Sequence, residues 1–131
     1  MEKIITTVTL RQQRISPKKA RLVMNLIKGK TALSALDILS TINKKSAKLA
    51  EALLKSAIDS AKAKDFKEEE LVIHESIAQE GRRAKRFFIR ARGRSAKFQR
   101  KSSHLKISLI KHETQDVKTK KIKGKNDGKK S

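Results

Sequence analysis

The stretch from Gly81 to His112 limits what this chain can fold into more than any other. It reads GRRAKRFFIRARGRSAKFQRKSSHLKISLIKH, with twelve Lys or Arg and no Asp or Glu between Glu80 and Glu113. A strand sends successive side chains to opposite faces. Arg82, Arg86, Arg90, Arg92, Arg94 and Arg100 fall on even positions, and Arg83, Lys85, Lys97 and Lys101 on odd ones. Both faces are therefore charged, and neither can pack on a core of the protein's own. Phe87, Phe88, Ile89 and Phe98 are the few apolar exceptions. Gly93 can take positive φ without steric cost, so Arg90-Ala91-Arg92-Gly93 reads as a turn between two arms. Arms of about twelve residues would reach roughly 40 Å at about 3.3 Å per residue. A compact body of this size has a radius of gyration of only about 13 Å. An isolated hairpin is marginal in water, and self-repulsion weakens this one further. The segment calls for a polyanion on more than one side. The alternative, a solvated basic loop, is disfavoured by the alternating strands that flank it.

Composition points the same way. The chain has 131 residues, 37% hydrophobic and 36% charged, which suits one small domain with a modest core. Its net charge is +21, a self-repulsion that is useful only to a protein that displaces counterions from phosphates. The absence of Cys excludes a disulfide framework, a thiolate metal site and a Cys nucleophile. No apolar run approaches the roughly 20 residues of a membrane span. The start, MEKIITTVTL, lacks the basic-then-apolar layout of a signal peptide, so synthesis and use in one compartment are expected.

The remaining elements surround the basic segment. Lys3 to Leu10 is β-branched and places Ile4, Thr6, Val8 and Leu10 on one face of a strand. Ser16-Pro17 opens a first helix as N-cap and first helical residue, with Ala20, Val23, Met24 and Ile27 on one face and Gly29 just past its end. Thr31 caps a short second helix whose inner face carries Leu33, Leu36 and Leu39. A third helix, from about Lys44 to Lys64, has an apolar stripe of Ala47, Ala50, Leu53, Leu54, Ala57, Ile58 and Ala61. Leu71 to Ala78 alternates Leu71, Ile73 and Ile77, and a later run alternates Leu105, Ile107 and Leu109. These two strands form the base of a long antiparallel hairpin at about 79–103, and the first strand completes the sheet. The expected class is α+β: three helices packed on a small three-stranded antiparallel sheet, with a long basic β-hairpin protruding. Residues 1–113 are read as a single RNA-binding domain and 114–131 as a disordered Lys-rich tail.

No catalytic constellation emerges. His74, His104 and His112 lie far apart in sequence and lack metal-ligand spacing; His74 and His104 are read as structural or RNA-contacting. Glu68, Glu69 and Glu70 form a surface run rather than a separated acid/base pair. The five glycines are scattered, so there is no phosphate-cradling loop, and no elbow motif surrounds Ser102 or Ser103. No metal or cofactor is expected. Lys18, Lys19 and Arg21 lie near the start of the first helix, where the dipole disfavours cations; phosphate contact and a solvated face are both open readings of them.

Three segments carry a resemblance. They are RISPKKARLVMNLIKGK at Arg14 to Lys30, LLKSAIDSAKAK at Leu53 to Lys64, and the hairpin with its return strand. The hairpin combines Lys85, the run Arg90-Ala91-Arg92-Gly93-Arg94, and Ser103-His104-Leu105 leading into Ile107 and Leu109. With these the chain resembles the L-twenty-two family of large-subunit ribosomal proteins from about Thr6 to Ile110. The resemblance implies a non-enzymatic constituent of the large ribosomal subunit that binds rRNA and aids assembly. Its partners would be large-subunit rRNA, neighbouring ribosomal proteins and the nascent polypeptide, with no membrane and no small-molecule substrate. Its place would be the ribosome of a bacterial cytoplasm, or of a plastid. The implied rRNA contacts are Arg14, Lys18, Lys19, Arg21, Arg82, Arg83, Lys85, Arg86, Arg90, Arg92, Arg94, Lys97, Arg100, Lys101 and His104. By position, Ala84, Lys85 and Arg86 match the family segment near the constriction of the peptide exit tunnel. Arg90, Ala91, Arg92 and Gly93 match the hairpin tip in the tunnel wall. Ile89 departs from the family, which often has Pro there. The competing readings are an architectural DNA-binding protein, which would need apolar wedges at the tip, and an RNA-processing enzyme, which would need an acid/base pair.

Overall fold

The computed structural model describes residues 3–112; the expected Lys-rich tail at 114–131 lies outside them. Five strands and three α-helices follow one another as β1 (Ile4–Gln13), α1 (Pro17–Ile27), α2 (Ala32–Thr41), α3 (Lys45–Lys62), β2 (Leu71–Glu80), β3 (Ala84–Ile89), β4 (Ser95–Arg100) and β5 (Ser103–Lys111). One sheet has the order β1-β5-β2 and a second pairs β3 with β4, all antiparallel. This is the expected α+β class.

The body is closed by helix stripes laid on one sheet face. α1 buries Pro17, Ala20, Val23, Met24 and Ile27. α3 buries the predicted stripe Ala47, Ala50, Leu53, Leu54, Ala57, Ile58 and Ala61, together with Ser46. These meet Leu71 and Ile73 of β2 and Leu105, Ile107 and Leu109 of β5, all five fully buried. The small alanines let the backbone of α3 approach its neighbours closely, so a core with few large side chains still excludes water.

The sheet edges are covered. Gly29, at φ +79 just after α1, donates its N–H to Ile73 O at 3.0 Å, and Ile73 N–H reaches Lys30 O at 2.9 Å. The link between α1 and α2 thus pairs with the outer edge of β2. On the other edge, Lys64 Nζ donates to Ile5 O at 2.6 Å. Edge groups left bare would invite pairing with another chain.

Four expectations are corrected. On α2 the buried residues are Ala32, Ala35 and Leu39, whereas Leu33 is exposed and Leu36 half-buried. The helix is turned so that Ala32, Ala35 and Leu39 enter the core, Leu36 packs partly against it and Leu33 stays in solvent. On β2 the register shifts between Ile73 and Glu75. This bulge sets two residues against one, so Ser76 and Ala78 turn inward and Ile77 is only half-buried. A similar shift between Ile4 and Thr6 on β1 leaves Ile4 exposed. The paired part of the basic segment is also shorter than expected. β3 and β4 have six residues each, or roughly 20 Å at about 3.3 Å per residue. Glu80 and Ser103 still pair within the body's sheet, and Ala91–Gly93 are taken up by a 3₁₀ turn.

Candidate nucleic-acid interface

The β3–β4 ribbon packs chiefly on itself. Its register runs from Ala84 opposite Arg100 to Ile89 opposite Ser95. Directly opposed residues share a face, which separates two surfaces. The even face carries Arg86, Phe88, Phe98 and Arg100. There the rings of Phe88 and Phe98 lie 4.6 Å apart and the Arg100 guanidinium sits 5.7 Å over Phe98. The odd face carries Lys85, Phe87, Ile89 and Lys97, with Phe87 64% and Ile89 90% exposed. Neither face is covered by protein.

The turn is built where the sequence permits it. Arg92 and Gly93 both take positive φ, 61° and 69°, and Arg90 N–H closes on Arg94 O at 2.7 Å. A left-handed residue other than Gly costs roughly 1 kcal/mol or more, so Arg92 is held there against its preference. The result displays Arg90, Arg92 and Arg94 together, all exposed.

At its other end the ribbon meets the body in an open cleft of about 1010 Å³. The body contributes Gln12, Arg14, Ser16, Lys19 and Lys45; the ribbon and its links contribute Arg82, Ala84, Arg86, Gln99, Arg100, Lys101 and Ser102. Seven of these twelve are Lys or Arg and none is acidic. Two segments that the sequence separates by some seventy residues, the start of α1 and the basic run, thus share one cationic wall. The side chain of Ser16 makes no capping bond to α1, so its hydroxyl stays free to serve the cleft it lines.

The structure sorts the predicted contacts. Arg14, Lys19, Arg82, Arg86, Arg100 and Lys101 come together in the cleft. Arg90, Arg92 and Arg94 stand at the turn, and Lys85 and Lys97 on the odd face. Lys18 is exposed outside the cleft. Arg21 is anchored to the body, its Nε donating to Ala78 O at 3.1 Å. Arg83 pairs with Glu80, Nε to Oε1 at 2.7 Å, and reaches Gln99 Oε1 at 3.4 Å. His104 accepts the Gln12 N–H on Nδ1 at 3.0 Å; it supports β1 where Gln12 takes φ 55. Ala84, Lys85 and Arg86 sit at the body end of the ribbon and Arg90, Ala91, Arg92 and Gly93 at the turn, so the two predicted tunnel groups occupy opposite ends.

Lys45, Gln12, Gln99 and Ser102 were not foreseen. Lys45 had a signal: Lys44-Lys45 opens α3 as Lys18-Lys19 opens α1, cations placed where the helix dipole opposes them. Among the described residues no group of three or more His, Cys, Asp or Glu could hold a metal ion, and no helix is long and apolar enough to cross a membrane.

Comparison with known proteins places this geometry. A family profile described as ribosomal protein L22p/L17e matches residues 8–110. A large ribosomal subunit protein uL22 of Sulfurihydrogenibium sp. (strain YO3AOP1) is 43% identical over 107 residues, covering 82% of this chain and 92% of that protein. The protein of the same name from Staphylococcus aureus (strain JH9) is 43% identical over 95 residues, covering 72% and 81%.

Proposed function

The chain belongs to the ribosomal protein L22p/L17e family, and from that premise we propose that its ribbon binds large-subunit rRNA and that the turn faces the peptide exit tunnel. As a member of this family the chain is a structural constituent of the large ribosomal subunit and not an enzyme. Its bacterial relatives indicate a ribosomal, cytoplasmic location. The compact unit that binds is the body with its ribbon, residues 1–113 in our reading.

The observation that carries the proposal is the ribbon itself. It has no acid, no core and both faces in solvent. Folded RNA is recognised through shape, phosphates and 2′-hydroxyls, and a ribbon too thin for a core fits a crevice between RNA helices. Exposed Phe87 gives bases a ring to stack on, and exposed Ile89 adds apolar contact beside it. Within the ribosome we place Arg90, Ala91, Arg92 and Gly93 in the tunnel wall, beside the nascent polypeptide. Ala84, Lys85 and Arg86 follow along the same wall, roughly 17 Å from Ala84 to Ile89 at about 3.3 Å per residue. Arg14, Lys18 and Lys19 extend the RNA-contacting surface over the body, with neighbouring ribosomal proteins around it.

Ultraviolet crosslinking in cells followed by sequencing of the attached RNA tests this. The expected result is a few discrete segments of large-subunit rRNA. Reads scattered over messenger RNA, or recovery mainly of DNA, would overturn the reading.

A further inference from the structure

We propose that the cleft at the ribbon's root is a phosphate clasp: an RNA sugar–phosphate strand lying in it bridges body and ribbon and locks one against the other. This rests on the reading of the chain as an rRNA-binding protein, and goes beyond it in assigning a site and a mechanical role.

The joint needs such a ligand. The body's sheet stops at Glu80 and Ser103, and the ribbon's sheet starts at Ala84 and Arg100. Between them, residues 81–83 and 101–102 belong to no strand. The joint is spanned by Gly81 N–H to Ser102 O at 2.8 Å, by Ser102 Oγ to Arg82 O, and by the contact of Arg83 with Glu80 and Gln99. Across the cleft, Arg14, Lys19 and Lys45 of the body face four cations of the ribbon root, with no carboxylate lining the space. Unliganded, the two walls repel each other. An anion between them turns that repulsion into attraction on both sides.

The occupant follows from shape and chemistry. The cleft is as large as the biggest small-ligand sites, which run to about 1,000 Å³. Apart from Ala84 its lining residues are all polar or cationic, whereas such sites are predominantly apolar. A strand of successive phosphates matches the spread of cations, and Ser16, Gln12 and Gln99 can hydrogen-bond its sugars and phosphates.

The chain has no Cys, so Ser56→Cys on α3 and Ser95→Cys on β4, both exposed, accept one spin label each in the full chain. The distance distribution between them is measured free, with a ten-nucleotide oligouridylate, and with inorganic pyrophosphate at equal phosphate concentration. The expected result is a broad distribution that narrows with the oligonucleotide and not with pyrophosphate. The combined variant Arg14→Gln, Lys19→Gln, Lys45→Gln should stay broad, and its salt slope of binding should fall by about 2, at roughly 0.7 per phosphate contact on a single strand. Lys48→Gln, exposed on α3 outside the cleft, should behave as wild type. Circular dichroism establishes that each variant folds. A narrow distribution in the free protein, or equal narrowing of the combined variant, overturns the clasp. Equal narrowing with pyrophosphate assigns the cleft to free phosphate and overturns an RNA strand as its occupant. Binding without narrowing removes the clasp alone, whereas no binding of the oligonucleotide by wild type removes the RNA-binding reading with it.

Discussion

The body and the ribbon are made by the same kinds of strand pairing and reach order in different ways. β2 and β5 pair at nine positions, and β3 and β4 at six, in the same antiparallel sense. In the body, the sheet is backed by buried Leu, Ile and Ala from three helices. In the ribbon, side-chain reinforcement is sparse: one tilted Phe88–Phe98 pair, Arg100 over Phe98, and hydrogen bonds from Arg86 to Lys85 O and from Arg83 to Gln99. Hydrogen-bonded pairing fixes a register, whereas burial supplies the free energy that keeps it populated. The difference teaches that the body can stand alone, while the ribbon has surface to give to a partner.

The sharpest way to break that comparison is to damage each region in kind. Leu54→Ala in the body removes a fully buried side chain and should cost about 2–5 kcal/mol, measured by chemical denaturation. Phe88→Ala removes a larger ribbon side chain, but one that is 56% exposed. Its loss should leave the denaturation midpoint of the body unchanged and show only as faster amide exchange at 84–100. A comparable global loss from both would mean that ribbon and body unfold as one unit.

The joint between them is the next largest lever. A Cβ on Gly81 would lie 2.8 Å from Ser102 Oγ and 3.3 Å from His104 Cε1 and Nε2. The hydroxyl can rotate away, but the imidazole is held by Gln12. Gly81→Ala should therefore cost about 1–3 kcal/mol, the range of overpacking, and should disturb the amides of Gln12 and Ser102 in nuclear magnetic resonance spectra before those of α3. An unchanged spectrum at Gln12 would show that the joint yields freely.

The smallest effect sharpens the picture on the body's surface. Lys62 is held above its ordinary pKa chiefly by its hydrogen bond to Glu68, against the opposing pull of desolvation. A raised folded-state value means that the pair's stabilisation is complete at neutral pH and fades as pH rises through the folded-state value. The stability difference between wild type and Lys62→Gln should be small, given how little exposed pairs contribute, and should vanish in the alkaline range. A difference that grows with pH would contradict the pairing.

Much of this was legible in the sequence because period and charge are local signals. The stripe of α3 and the inner face of α1 follow a repeat of 3.6 residues that packing did not alter. The alternation of Arg and Lys on both faces of 82–101 announced a ribbon without a core. What was not legible depends on tertiary fit. A bulge at His74 reverses which face Ile77 shows, and nothing in LVIHESIA distinguishes a bulged strand from a straight one. The rotation of α2 puts Ala32, Ala35 and Leu39 in the core, a choice that only the assembled helices and sheet decide. Lys45 joins Arg14 and Arg100 only once α3 has docked beside the ribbon root. The pairing of Arg83 with Glu80, by contrast, was open to view three residues apart.

The position of β5 in the sheet has a consequence for synthesis. β1 and β2 do not touch each other; each pairs with β5, which follows every other described element in the chain. A growing chain that has completed its three helices and β2 therefore holds two strands that lack their shared central partner, and its core stays open until residues 103–111 emerge. By then the whole basic ribbon has been made. Translation places the RNA-binding segment before the event that seals the body, so a prematurely terminated product displays unpaired strand edges and exposed apolar faces, the marks by which chaperones and proteases distinguish it from the finished protein.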